Sequence, residues 1–278
     1  MLLIADSGST KTTWAFIKSK SLIYTTSGMN PFFLSDTDLL HILQTELPLP
    51  DEPIDTLYFY GAGCTPEQQP KMAQCLSEYF HPKHLSVESD LLAAARSQCQ
   101  QTAGIVGILG TGSNSCRFDG EKIVEHIAPL GYILGDEGSG ADLGKHLIAD
   151  ILKQQLPSEI IRNFHEQYPQ TTADILEKVY RQPYPNRFLA QFSPFLASHI
   201  DYPEMASLVE RRFDSFVKRN LLLYPDAHNL PIHFVGSIAF VFRRQLEKIM
   251  RRHYLRLAAI HQTPMEGLIQ WHKLVISG

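Results

Sequence analysis

Short apolar runs that stop abruptly at glycine recur along this chain with similar surroundings each time. They are IADSGSTKTT at Ile4–Thr13, GILGTGSNS at Gly107–Ser115 and HFVGSIAF at His233–Phe240. A further stretch, LGDEGSGADLG at Leu134–Gly144, lies between the last two. An apolar run ending in Gly, Ser and Thr reads as a buried strand entering a tight turn. Such a turn presents backbone N–H groups and small hydroxyls where bulky side chains would block an approaching anion. Several in one chain point to polyphosphate held by backbone rather than by one cationic side chain.

The elements around the turns repeat as well. Leu2–Ala5 reads as a buried strand, Thr12–Ile17 as a second and Ser21–Thr25 as a third. Asp36–Leu47 carries leucines at helical spacing, and Thr56–Tyr60 is another strand. A helix is predicted to start near Thr65 and Pro66, with Thr65 and Gln68 as a capping box. Leu85–Val87 is a short strand and Asp90–Gln100 an alanine-rich helix. The pattern then restarts: strand Ile105–Leu109, the turn TGSN, and strands Ser115–Phe118 and Lys122–Glu125. Ser139 to about Leu223 reads as mostly helical, broken by prolines; Ile232–Val235 is a strand and Ala239–Arg252 one helix. The segment TPMEGLIQWH reads as a last amphipathic helix. Two α/β domains follow, 1–103 and 104–278, the second with a helical insertion at about 145–223 and a last helix that returns to the first domain.

Composition narrows the function. The chain has 278 residues, enough for two cored domains, with 44% hydrophobic and 19% charged residues, as in an ordinary soluble protein. A formal net charge of −4 argues against a nucleic-acid partner. No apolar run spans a bilayer and no signal-like head precedes MLLIADSG, so a cytoplasmic location without membrane association is expected. Cys64, Cys75, Cys99 and Cys116 form no C-x-x-C pair and read as free thiols.

The order of these motifs resembles the actin-like ATPase superfamily, which includes sugar kinases, heat-shock 70 chaperones and actin. Within it the chain is similar to the N-acetylglucosamine kinase branch, grouped with the BadF/BadG/BcrA/BcrD-type ATPases. The resemblance rests on Asp6, Gly8, Thr10, Lys11 and Thr12, on Gly110–Asn114, on the run Gly135–Ser139 and on Gly236-Ser237. It spans residues 4 to about 240. It implies two ribonuclease H-like domains, each a five-stranded mixed sheet with flanking helices, and a nucleotide cleft between them. It also implies ATP and Mg²⁺ as cofactors and a small sugar as acceptor, and it allows a homodimer.

Carried onto this sequence, the resemblance assigns Ser7, Gly8, Ser9, Thr10 and Lys11, then Gly110, Thr111, Gly112 and Ser113, to the phosphates. Gly236 and Ser237 are assigned to the adenosine, and Asn30, Gly131 and Asp136 to the sugar. Asp6 is the expected metal carboxylate and Asp90, in VESDLLAAA, the general base. Ser7 and Ser9 stand where the family usually has glycine, and serine tolerates positive φ less well. Each assignment has a plainer reading beside it. Asp6 could only shape a turn, Lys11 could be a solvated strand residue, and ADSGSTKT lacks the second glycine of a Walker A loop. Asp90 is a preferred helix N-cap, as is Ser89 beside it, and a helix N-terminus would keep its carboxylate ionised. Asp136 and Glu137 could be an acidic helix start, with Glu137 the structural member of the pair. Asn30 before Pro31 is an ordinary turn residue, and Ser237 could cap the helix after it. His81 and His84 lack metal partners, and Arg244, Lys248, Arg251 and Arg252 read as a solvated basic stripe. The leading expectation is an ATP-dependent kinase for N-acetylglucosamine or a related amino sugar. A partner-coupled ATPase and a non-catalytic sugar or nucleotide sensor are the alternatives.

Overall fold

The computed structural model describes residues 1–18, 21–48, 50 and 52–277. The chain forms two compact units. The first contains Met1–Thr102, Asp119–Ile123 and the C-terminal segment from Thr263; the second contains Ala103–Phe118 and Val124–Gln262.

In the first unit the order is β1 (Leu2–Ser7), β2 (Lys11–Ile17), β3 (Leu22–Ser27), α1 (Asp36–Glu46), β4 (Thr56–Gly61), α2 (Gln69–Phe80), β5 (His84–Ser89) and α3 (Asp90–Cys99). The sheet order is β3-β2-β1-β4-β5. β1 pairs antiparallel with β2 and parallel with β4, so the sheet is mixed. Successive side chains of a strand point to opposite faces. Leu3 and Ala5 therefore join a core with Trp14, Leu39, Leu57, Phe59 and Met72, while Ile4 joins Ala15, Tyr60 and Ala93 on the other face. Burial on both faces explains why β1 reads as an unbroken apolar run.

The second unit repeats this plan. β6 (Gly104–Leu109), β7 (Ser113–Phe118) and β8 (Ile123–Ile127) lead to α4 (Gly131–Leu134) and α5 (Gly140–Leu152). α6 (Ser158–Gln167), α7 (Thr172–Tyr180), α8 (Pro185–Ala190), α9 (Ser193–Ser198) and α10 (Pro203–Arg219) follow. β9 (Ile232–Val235), α11 (Ser237–Val241), α12 (Arg243–Arg252) and β10 (Leu257–His261) complete it. The sheet order is β10-β9-β6-β7-β8, with β6 antiparallel to β7 and parallel to β9. In both sheets the central strand therefore has its following hairpin on one side and two parallel strands on the other.

The chain then returns to the first unit as α13 (Met265–Ser277). Met265 and Leu268 pack against Ile4, Ala15, Tyr60 and Ala93. At Gly267 a Cβ would stand 2.3 Å from the Ser97 carbonyl oxygen, so only glycine allows α13 this close to α3. Arg96 donates to the Tyr60 hydroxyl at 2.9 Å, that hydroxyl lies 3.0 Å from Nε2 of buried His272, and the guanidinium sits 4.2 Å from the Trp271 ring centroid.

Some local expectations need correction. α2 begins at Gln69, not near Thr65; the Thr65 hydroxyl is turned to Glu67 at 2.6 Å, no side chain caps the helix, and Pro70 occupies its first turn. The helix expected over Ala239–Arg252 is two helices, broken at Phe242, whose ring is buried in the core. Strand β10, absent from the sequence reading, is an irregular edge strand with a register shift between Leu257 and Ala259.

Candidate functional site

The first glycine turn is built by strand pairing. β1 and β2 remain in register up to Ser7↔Thr12, which leaves Gly8 to Lys11 to reverse the chain. The Gly8 N–H donates to the Lys11 carbonyl at 2.9 Å, so it closes the turn internally. Neither Ser7 nor Ser9 takes a positive φ, and the strain expected from serine in glycine positions does not arise. The Ser7 hydroxyl is fully buried, bonded to Thr12 Oγ1 at 2.8 Å and to the Met29 N–H at 3.0 Å. Ser9 is half-buried, and Thr10 and Lys11 are exposed at the tip.

Asp6 lies just before this turn, in register with Tyr60 of β4. Its carboxyl is pushed up to about 7, first by burial and then by the negative charge of Asp90, with Lys11 opposing. Asp90 opens α3, but it is not the cap. Ser89 is the N-cap, and its hydroxyl accepts the Leu92 N–H at 3.2 Å. Asp90 is half-buried by exposure, yet its carboxyl group is closely surrounded. Burial pushes it up to about 6, against hydrogen bonds from the Leu91 and Asp90 N–H groups. Desolvation outweighs the backbone donors at the helix terminus, so the carboxylate expected to be ionised is so only above about pH 6. Asn30 is buried, and its Oδ1 accepts the Phe32 N–H at 3.0 Å. Gly63, at φ +78, packs against this amide; a Cβ there would stand 2.1 Å from Oδ1.

In the second unit the remaining glycine motifs converge. β6 and β7 pair up to Leu109↔Ser113, so the turn is only Gly110, Thr111 and Gly112, and Asn114 lies inside β7. The first two N–H groups of α5 donate to this turn, Gly140 to the Gly110 carbonyl at 2.8 Å and Ala141 to the Thr111 carbonyl at 3.0 Å. In a planar trans peptide the carbonyl and the following N–H point opposite ways. Turning those carbonyls toward α5 therefore aims the Thr111 and Gly112 N–H groups away from it, the orientation an anion needs. Gly236, at φ +125, crosses the end of β6 so closely that a Cβ would lie 2.2 Å from the Leu109 carbonyl oxygen. Gly236 occupies the cap position of α11, and Ser237 is an exposed first helical residue without a capping bond, which corrects the Ser237 cap expectation.

Asp136, at φ +53, stands against the second turn. Its Oδ1 accepts the Ser113 N–H at 3.2 Å, and a Cβ at Gly112 would be 3.1 Å from its Oδ2. Burial pushes its carboxyl up to about 6. Neither Asp136 nor Glu137 starts α5, because Ser139 caps it. Glu137 is tied to Arg219 and Asn220, a structural pairing as expected. Gly131, at φ +74, opens the four-residue α4. The residue that holds this loop went unrecognised in the sequence. Burial opposes ionisation of Asp142, but hydrogen bonds from His146 and Arg212 outweigh it and hold the carboxyl at about 2. Its Oδ2 accepts the Gly138 N–H at 2.9 Å and Arg212 Nε at 2.7 Å. No local pattern marks a partner 70 residues away.

Each unit thus brings its own candidates together: Asp6, Asp90, Asn30 and the first turn in one, Asp136, Gly236 and the second turn in the other. Gly131, on α4, is joined to Asp136 by backbone: its carbonyl accepts the Gly135 N–H at 2.8 Å, and the Pro129 carbonyl accepts the Asp136 N–H at 2.9 Å. Among the described residues no group of three or more His, Cys, Asp or Glu forms a metal cage, and no helix is long and apolar enough to cross a membrane. Cys64, Cys75, Cys99 and Cys116 are buried and form no disulfide.

No protein-family model and no curated protein matches the chain. A solved structure from Porphyromonas gingivalis, provisionally assigned as an N-acetylglucosamine kinase, is 48% identical over 98% of both chains, with a TM-score of 0.94. A second structure of the same provisional assignment, from Chromobacterium violaceum, is 20% identical, covers 97% of this chain and 98% of its own, and has a TM-score of 0.76. A ROK family glucokinase from Streptomyces griseus, in complex with glucose and AMPPNP, is 14% identical with a TM-score of 0.59 over 99% of this chain and 100% of its own. The last two are likenesses of fold.

Proposed function

Since the chain belongs to the N-acetylglucosamine kinase-like branch of the actin-like ATPase superfamily, we propose that it is an ATP-dependent sugar kinase with N-acetylglucosamine, or a related amino sugar, as acceptor. The observation that carries the reading is the pairing of Asp6 and Asp90. Ser89 provides the N-cap, so Asp90 brings a second carboxylate to the N-terminus of α3, where the Leu91 and Asp90 N–H groups hold it within electrostatic reach of Asp6. Two desolvated carboxylates crowded beside a phosphate-type turn are costly to ionise even with Lys11 nearby, and a bound cation relieves that cost.

In this reading the tip of the first turn and the Thr111 and Gly112 N–H groups of the second hold the phosphates, and Gly236 and Ser237 meet the adenosine. Asp6 holds Mg²⁺ through water. That ion supplies neutralisation of charge on the transferring phosphoryl group. Asn30, Gly131 and Asp136 receive the sugar hydroxyls. Asp90, ionised above about pH 6, orients the acceptor hydroxyl and takes its proton late in transfer.

The test is a coupled ADP-release screen with Mg·ATP over a panel of hexoses, hexosamines and N-acetylated hexosamines. Sugar-dependent ADP formation, highest with N-acetylglucosamine, is expected. ADP release that no sugar stimulates would overturn the kinase reading, and a preference for an unsubstituted hexose would overturn the acceptor.

A further inference from the structure

The Ser7 hydroxyl sits in a buried hydrogen-bonded chain. It accepts the Met29 N–H at 3.0 Å. It shares a 2.8 Å hydrogen bond with Thr12 Oγ1 in which either hydroxyl can donate, and Thr12 Oγ1 lies 3.1 Å from the Ser27 carbonyl, which can only accept. Met29, Ser7, Thr12 and Ser27 are thereby linked across the turn, with both hydroxyls engaged inside the protein.

The same segment is tied to the turn by backbone. Gly28 donates to the Thr10 carbonyl at 3.0 Å, and a Cβ at Gly28 would stand 2.5 Å from the Gly8 carbonyl oxygen. Met29 is fully buried, and Asn30 follows it directly. Asn30 is then fixed from its other side by the Phe32, Phe33 and Leu34 N–H groups, which its side chain and carbonyl accept. Where Met29 sits therefore decides where the Asn30 amide sits.

We propose that Ser7 is a positioning residue for the acceptor: its buried hydroxyl locks the Gly28–Asn30 segment to the phosphate turn and sets the Asn30 amide for the sugar. The proposal rests on the reading that Asn30 meets the sugar. Removing the hydroxyl leaves the Met29 N–H buried without a partner, a costly state that the segment relieves by shifting.

The experiment compares Ser7→Ala and Ser7→Thr with the parent, varying sugar and Mg·ATP separately and measuring amide hydrogen exchange across residues 27–34. For Ser7→Ala the sugar KM is expected to rise about tenfold, the size of one lost buried hydrogen bond. The ATP KM and kcat should stay within about threefold, a smaller change than one lost hydrogen bond produces. The Met29 and Asn30 amides should exchange faster, and Ser7→Thr, which keeps the hydroxyl, should restore both readouts. A rise in ATP KM with an unchanged sugar KM would return Ser7 to the phosphate site. Parental exchange at Met29 in folded Ser7→Ala would overturn the lock. A parent without sugar-stimulated ADP release would overturn the kinase reading instead, and the exchange measurement would still decide the hydrogen bond.

Discussion

Replacing Asp90 by Asn should move activity and stability in opposite directions. Asn keeps the shape of the side chain, and the cap is untouched because Ser89 provides it. What disappears is a carboxylate whose folded pKa is raised from 3.8 to about 6, first by burial. Below pH 3.8 the carboxyl is protonated in folded and unfolded chains alike, and the position costs nothing. Between pH 3.8 and about 6 the unfolded chain ionises while the folded chain holds the proton, so stability falls across that window and stays lower above it. The full displacement corresponds to about 3 kcal/mol, and the partial exposure of the side chain reduces that to about 1–2 kcal/mol. Asp90→Asn is therefore expected to be more stable than the parent by that amount at pH 8 and within about 0.5 kcal/mol of it at pH 4. Loss of the base should lower sugar-dependent turnover about 10²–10⁴-fold, on the order of 3–5 kcal/mol of barrier. Urea unfolding at both pH values, beside ADP-release kinetics, reads both arms. A variant no more stable than the parent at pH 8, or one that turns over sugar at the parental rate, would refute the reasoning.

Gly112→Val should weaken nucleotide binding more than about tenfold by calorimetric titration, because even its first carbon would meet Asp136 Oδ2 at 3.1 Å and its methyls would displace the carboxylate from Ser113; folding should survive, as circular dichroism would show. Asp6, raised to about 7, holds a proton below that pH, so Mg²⁺ binding should release a proton and weaken by up to about tenfold per pH unit below it; equal Mg²⁺ affinity at pH 6 and pH 8 would free Asp6 of the metal. Gly144→Ala would set a Cβ 1.9 Å from the Leu189 carbonyl oxygen, between α5 and α8. Forcing those helices apart should cost about 1–3 kcal/mol or more in urea unfolding.

What could be read ahead of the structure was whatever local chemistry dictates. Apolar runs ending at Asp6, Leu109 and Val235 had to be buried strands meeting tight turns, and the repeated hairpin after each central strand marked the common plan of the two units; five strands in each sheet was what the resemblance implied, since β10 was not legible. The N-terminus of α3 was legible, but not which of Ser89 and Asp90 capped it. Both are good caps, and only the geometry of the Leu92 N–H chooses between them. Ser7 invited a phosphate role because a hydroxyl beside a glycine turn is a donor; that its oxygen is engaged by the Met29 N–H, 22 residues on, could not be read from the local sequence. β10 escaped because its Ala258-Ala259 pair has little strand preference and the edge position leaves its alternation irregular. The break at Phe242 has no glycine or proline to announce it. It comes from a ring that must reach the core.

The return of α13 also fixes an order of events during synthesis. Residues 103–262 must leave the ribosome before the segment from Thr263 can cover Ile4, Tyr60 and Ala93. Until then the nascent first sheet has an uncovered apolar face, and Arg96 lacks the Trp271 ring and the His272 partner of Tyr60. The unit begun first is finished last, through contacts more than 200 residues apart along the chain. Chains with such long-range closures fold slowly and expose sticky intermediates. A stalled or clipped chain lacking α13 should therefore be a client for chaperones, even with its second unit intact.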